Sequence, residues 1–154
     1  MIRFHSTLAA LPALAFLTLS GSASAVTLTT VSDFGDNPGN VTMQWYKPAN
    51  LSGPAPIVVT LHYCSGDASY ANGLAASVSN TADTHGFIVI SPQTTKFGKC
   101  WDVFSTASLQ HDGGGDSKSI VSMVKYAAMN GGDLERVYAV GSSSGSLLKT
   151  KPAT

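Results

Sequence analysis

A chain of 154 residues is long enough for one domain, and its nine basic and nine acidic side chains cancel to a formal net charge of zero. Only 12% of the residues are charged, which excludes the strongly basic surface that nucleic acid or an anionic membrane requires. A neutral partner is expected.

Met1 to Ala25 read as a secretory signal. Arg3 and His5 give a short basic start, Leu8 to Leu19 an apolar stretch, and Ala23-Ser24-Ala25 a small-residue cleavage site. The apolar stretch is too short, and too broken by Pro12, to span a bilayer. A buried N-terminal helix is the competing reading. The mature chain is expected to start at Val26 outside the cell, with 26–154 forming one domain or part of one.

Val26 to Val31 and Val41 to Tyr46 have the β-branched or alternating character of strands, and Asp36-Asn37-Pro38-Gly39-Asn40 between them is dense in turn residues, so they predict an N-terminal hairpin. Two sequons follow, Asn40-Val41-Thr42 and Asn50-Leu51-Ser52, which suit a secreted glycoprotein. Gly53-Pro54-Ala55-Pro56 breaks the chain before Ile57-Val58-Val59-Thr60-Leu61, a continuous apolar run typical of strands buried on both faces.

Cys64 and Cys100 are the only cysteines, and export places them in an oxidising compartment. A disulfide is the economical reading, worth roughly 3.5 to 4 kcal/mol for a loop of about 37 residues, and two separate thiols are the alternative. Neither cysteine has a histidine or cysteine at zinc-ligand spacing, so no metal is expected.

Leu74, Ala75, Val78 and Ala82 recur at helical spacing, with Gly86 as C-terminal cap. Phe87-Ile88-Val89-Ile90 predicts the next buried strand, ended by Ser91-Pro92. Ile120, Val124, Ala127 and Ala128 mark a second helix, with Asp116 or Ser117 as N-cap and Gly131-Gly132 at its end. Val137 to Val140 is a further strand. Strand alternating with helix predicts an α/β fold, a parallel sheet with helices on both faces.

That last strand runs directly into Gly141-Ser142-Ser143-Ser144-Gly145. The same composition occurs in flexible linkers, but a linker is not flanked by a buried strand and a helix-like Leu147-Leu148. A strand delivering Gly-x-Ser-x-Gly is a nucleophile elbow, a turn so tight that side chains at Gly141 and Gly145 would collide with their neighbours. Ser143 is therefore the candidate nucleophile, and the backbone N–H of Ser144 an oxyanion donor.

The ordered motifs Asp33-Phe34-Gly35-Asp36-Asn37-Pro38, Leu61-His62-Tyr63-Cys64, Gly86-Phe87-Ile88-Val89-Ile90, Cys100-Trp101-Asp102, His111-Asp112-Gly113-Gly114-Gly115 and Gly141 to Gly145 cover nearly all of Val26 to Gly145. In this order they resemble the secreted fungal acetylxylan and feruloyl esterases of carbohydrate esterase family one, related to polyhydroxybutyrate depolymerases. The resemblance implies the N-terminal half of an α/β-hydrolase fold and acyl transfer through Ser143 without a cofactor. The implied substrate is acetylated xylan or a related plant cell-wall ester, and the complete enzyme is expected to be a monomer.

By resemblance the second oxyanion donor is the backbone N–H of Cys64, with that of Tyr63 as the alternative, while the His62 side chain is structural. His111 sits at the wrong place in chain order for an oxyanion motif and reads as part of a tight turn. Trp101 reads equally as an aromatic wall for a sugar or aryl group and as a cap on the core. The triad Asp and His normally follow the serine, yet residues 144–154 contain no Asp, Glu or His, and Pro152 would interrupt the helix expected there. The expectation is a truncated and inactive esterase domain. The rival from another class is a carbohydrate-binding module built on Trp45 and Trp101, or a fragment without function.

Overall fold

The computed structural model describes residues 26–70, 76–110 and 113–148. The leader, Leu74, Ala75 and His111 lie outside the described residues.

The apolar run after Pro54 forms β3 (Ala55–Leu61), an interior strand of a five-stranded sheet. It is flanked in parallel by β4 (Ile88–Thr94), with Val58 opposite Val89, and by β5 (Gly132–Gly141), with Val58 opposite Tyr138. The outer side of β4 carries β2 (Val41–Tyr46) antiparallel, and β1 (Thr29–Val31) pairs antiparallel with β2. The order is thus β1-β2-β4-β3-β5. Asn37 closes the hairpin turn: its side chain accepts from Val41 N–H at 3.0 Å and donates to the Val41 carbonyl at 2.8 Å.

Alternation along β4 separates two layers. Ile88 and Ile90 share a core with Ile57, Val59, Leu61 and Met43, and with Ile120, Met123 and Ala127 of α3 (Gly115–Met129). Val89 faces the other way, against Ala82 and Val78 of α1 (Ala76–His85). Helices therefore cover both faces, as the strand and helix order predicts. Each fully buried Ile or Met contributes roughly 1.5–3 kcal/mol of transfer free energy, so the α3 layer holds most of the core. Gly86 caps α1 at φ +68°, with its N–H donating to Ala82 O at 2.8 Å. Among the described residues no helix is long and apolar enough to cross a membrane.

Two boundaries differ from the sequence reading. Strand β4 does not stop at Ser91-Pro92 but continues to Thr94. Its pairing with β3 ends at Ile90, so Pro92 has a ladder on one side only, the edge-like setting in which a missing N–H is tolerated. Helix α3 is capped by neither Asp116 nor Ser117. It starts at Gly115 with Gly114 as N-cap, because glycines at φ +107° and +64° let the chain enter the helix earlier. Asp116 and Ser117 then lie inside the first turn.

The strand order reverses at β3. The chain leaves β3 for β4 on one side and returns to β5 on the other, so the C-terminal ends of β3 and β5 open the crevice in which α/β sheets place ligands.

Candidate active site

Ser143 stands at that crevice. It follows β5 directly, and α4 (Ser144–Leu147) begins at the next residue. The joint is anchored to the neighbouring strand by Ser142 N–H, which donates to Leu61 O at 3.3 Å. Ser143 has φ +53° and ψ −123°, a region that a residue with a side chain adopts only under constraint, at a cost of order 1–3 kcal/mol. The constraint is visible around it. A Cβ on Gly141 would lie 2.6 Å from the Gly145 backbone, and one on Gly145 would press on Leu61 O and lie 2.7 Å from His62 O. Both glycines are therefore demanded by close backbone approach, and the turn they permit leaves Ser143 exposed while Ser144 and Gly145 are buried.

The helix that follows is only one turn long. Ser144 is its first residue, so its N–H has no carbonyl one turn back within the helix. Ser146 holds the turn closed, its N–H and hydroxyl donating to Ser143 O at 3.0 and 2.7 Å.

Across the crevice, β3 is followed by His62, Tyr63 and Cys64. Cys64 and Cys100 form a disulfide, the economical reading of the sequence, and it joins this segment to Trp101. The Ser144 hydroxyl lies between the two: it accepts from Trp101 N–H at 3.5 Å and sits 3.4 Å from Cys64 Sγ. The disulfide sulfur has no hydrogen, so the hydroxyl is the donor to it. The structure thus brings together Ser143, Ser144 and Cys64.

His62 is fully buried, and both ring nitrogens are engaged. Nδ1 lies 2.7 Å from Tyr63 O and Nε2 lies 3.4 Å from Thr94 N–H, an arrangement that requires the proton on Nδ1. Burial lowers its pKa below the ordinary histidine value, against the opposing pull of the Tyr63 carbonyl and the Asp67 charge. A neutral, doubly tied imidazole is a structural member here.

Trp101 is 1% exposed. Its ring lies 4.8 Å from that of His62, and its Nε1–H donates to His62 O at 2.8 Å. The aromatic-wall expectation for Trp101 is corrected on this point: the indole is a core pillar beneath the crevice and presents no accessible face. Trp45 packs edge-on against Tyr126 at 5.4 Å, so these two tryptophans do not form a row that could grip a sugar chain.

Sequence reasoning missed Asp116. This fully buried carboxylate accepts from Lys96 Nζ and from Asp102 N–H at 2.8 Å, and Gly39 packs so closely that a Cβ there would strike its backbone. It ties the β1–β2 turn, the segment after β4 and the start of α3 into one support for the crevice. The available signal was an acid directly behind three glycines, where the chain is bare enough to be approached from several sides. Asp102, beside it, caps the next turn. Burial alone would raise its pKa, but bonds from the Ser105 hydroxyl at 2.6 Å and the Ser105 and Phe104 N–H groups outweigh that and hold it below the usual carboxylate range.

A family profile described as Esterase PHB depolymerase matches residues 42–153. The chain is 45% identical over 126 residues to acetylxylan esterase A of Aspergillus oryzae, covering 80% of this chain and 40% of that protein. It is 44% identical over 125 residues to feruloyl esterase B of Talaromyces funiculosus, covering 80% and 35%. Among solved structures, an acetyl xylan esterase from Aspergillus awamori superposes with a TM-score of 0.70 at 43% identity, covering 79% of this chain and 44% of that one. The chain thus spans about two fifths of the length of the curated relatives it matches.

Proposed function

The chain belongs to the esterase PHB depolymerase family, and from that premise we propose that it carries the nucleophile and oxyanion donors of a secreted serine carboxylic ester hydrolase that deacetylates xylan. The observation that carries this reading is the backbone of Ser143. A serine held at φ +53° between two obligatory glycines, at the strand-order reversal of a mixed α/β sheet, is strain placed where acyl transfer needs an exposed hydroxyl.

In the proposed reaction Ser143 Oγ attacks the ester carbonyl and the N–H groups of Ser144 and Cys64 hold the oxyanion. The sugar hydroxyl leaves, and water then releases acetate from the acyl-serine. The proton of Ser143 must go to a base. His62 cannot take it, since its Nε2 already accepts from Thr94 N–H, and residues 144–154 hold no Asp, Glu or His. We therefore propose that the 154-residue chain alone turns over aryl acetate at no more than background rate.

The feruloyl reading shares this machinery and differs in the acyl group, and a relative of that name matches at nearly the same identity. Export rests on Met1 to Ala25, and N-terminal sequencing of secreted protein should begin at Val26. Asn40 and Asn50 are both exposed and open to glycosylation.

The test is a chimera in which residues 42–148 replace the matching segment of Aspergillus oryzae acetylxylan esterase A. Acetate release from acetylated xylan should exceed ferulate release from methyl ferulate, and Ser143→Ala should remove activity by several orders of magnitude while the far-ultraviolet spectrum is unchanged. A folded chimera whose Ser143→Ala variant retains turnover would sink the assignment.

A further inference from the structure

We propose that the Ser144 side-chain hydroxyl is a positioning residue that couples the Cys64–Cys100 bridge to the oxyanion site, and that it gives the bridge a fixed direction of opening. An incoming thiolate attacks Cys100, and Cys64 leaves. The first half rests on the esterase reading above, because it takes the N–H groups of Ser144 and Cys64 as donors to the same oxygen. The second half concerns sulfur chemistry alone.

Three observations converge. Cys100 is exposed, whereas Cys64 is half-buried at the end of β3. The buried Ser144 hydroxyl accepts from Trp101 N–H at 3.5 Å and directs its own hydrogen to Cys64 Sγ at 3.4 Å. Trp101 is itself immobilised in the core, so the segment that carries Cys100 is held against the same hydroxyl that touches Cys64. One oxygen thus meets both limbs of the bridge and belongs to the residue that follows the nucleophile.

A disulfide sulfur is a weak acceptor, and a thiolate is a strong one. The contact from Ser144 therefore tightens as negative charge develops on Cys64, which is the definition of a stabilised leaving group. In the first step a thiolate RS⁻ attacks Cys100 Sγ, the S–S bond breaks, and its electron pair goes to Cys64 Sγ, leaving a mixed disulfide on Cys100. A second RS⁻ attacks the RS sulfur of that mixed disulfide, releasing RSSR and the Cys100 thiolate, and both cysteines take protons from water. Opening removes the covalent tie between the Cys64 and Trp101 segments and leaves the hydrogen bonds between them, Trp101 Nε1–H to His62 O and Ser65 N–H to Gly98 O, so the frame shared by the two N–H donors loosens. The esterase site is then sensitive to low-molecular-weight thiols.

The experiment uses the 154-residue chain and reduced glutathione, with timed acid quenching, alkylation and tryptic mapping, since cleavage at Lys96 and Lys99 separates the two cysteines. Glutathione should be found on Cys100 and the alkyl group on Cys64, by roughly tenfold over the reverse. Equal distribution, or glutathione mainly on Cys64, overturns the direction of opening. Ser144→Ala should slow opening about threefold, because the leaving thiolate loses a donor. Faster opening in that variant would mean that the hydroxyl only tightens the site, and would overturn the coupling. If Ser144→Ala does not fold, Ser144→Thr retains the hydroxyl and should open at the wild-type rate, a slowed rate counting against the coupling. Ser143→Ala tests the esterase reading and should leave every one of these sulfur readouts unchanged, so the two ideas fail separately.

Discussion

Strands β4 and β5 read alike in the sequence, as short β-branched runs, and both pair in parallel with β3, yet six of seven residues of β4 are buried and six of ten of β5 are exposed. The difference lies in their neighbours. Strand β4 has β2 and β3 on its two edges and α1 and α3 on its two faces. Strand β5 has β3 on one edge, and among the described residues no strand pairs with the other; Leu134, Tyr138 and Val140 are 50%, 58% and 41% exposed. Burial is therefore a property of the surroundings a strand acquires. The nucleophile stands at the end of the less buried strand, and its position is held by backbone contacts with the end of β3 instead of by a packed layer.

The largest effect should come from the β3–β4 side. Ile57 is fully buried between β4, β5 and α3, so Ile57→Ala removes three methyl or methylene groups from a closed core and should cost about 4 kcal/mol in urea denaturation. A cost below 1 kcal/mol would mean that this layer is loosely packed, and the contrast with β5 would lose its basis.

A smaller effect of opposite sign belongs to the elbow. Ser143 occupies a conformation that glycine adopts without penalty, so Ser143→Gly should raise stability by about 1–2 kcal/mol, whereas Ser143→Ala should leave it nearly unchanged. Equal stabilities for the Gly and Ala variants would show that the turn stores no strain. This reading would remove the observation on which the catalytic assignment of Ser143 rests.

Much of this architecture was legible from residues alone, and the reasons differ by element. The β3 run, the α1 cap at Gly86 and the elbow are local signals, written in hydrophobic continuity, a left-handed glycine and two close-approach glycines. The start of α3 was misread because Asp116 looks like a cap by type, while its carboxylate is recruited by Lys96 and Asp102 N–H, 20 and 14 residues earlier. Trp101 was half misread for a related reason. An indole suits a wall or a pillar equally well, and only His62, brought from β3, decides for the pillar. The Ser144 hydroxyl left no sequence signal at all, since its partners come from two distant loops.

The buried end of β3 should also show in acid. His62 has a pKa lowered by burial in the fold, while in the unfolded chain it titrates near the ordinary value of about 6.5. Below that value the unfolded state binds a proton that the folded state resists, so the contribution of His62 is complete above about pH 6.5 and is lost as pH falls toward its folded pKa. Urea midpoints measured from pH 8 to 5 should decline on the acid side, and nuclear magnetic resonance should find His62 titrating below the ordinary histidine value, its neutral form carrying the proton on Nδ1. Ordinary titration of that ring would open the β3 end to solvent and weaken its contrast with β5.

The smallest change in stability is expected on β5 itself. Tyr138 faces away from the α3 core and is 58% exposed, so Tyr138→Thr keeps β propensity while removing an aromatic ring that packs little. Its effect on the unfolding free energy should stay within about 0.5 kcal/mol, as for surface positions in general. Self-association should respond far more, because an open strand edge beside Leu134, Tyr138 and Val140 invites pairing between chains and the substitution makes that face polar. Sedimentation velocity should therefore show less aggregate for Tyr138→Thr than for the parent at equal concentration. A loss of several kcal/mol instead would mean that Tyr138 is packed in solution, and that β5 is as enclosed as β4.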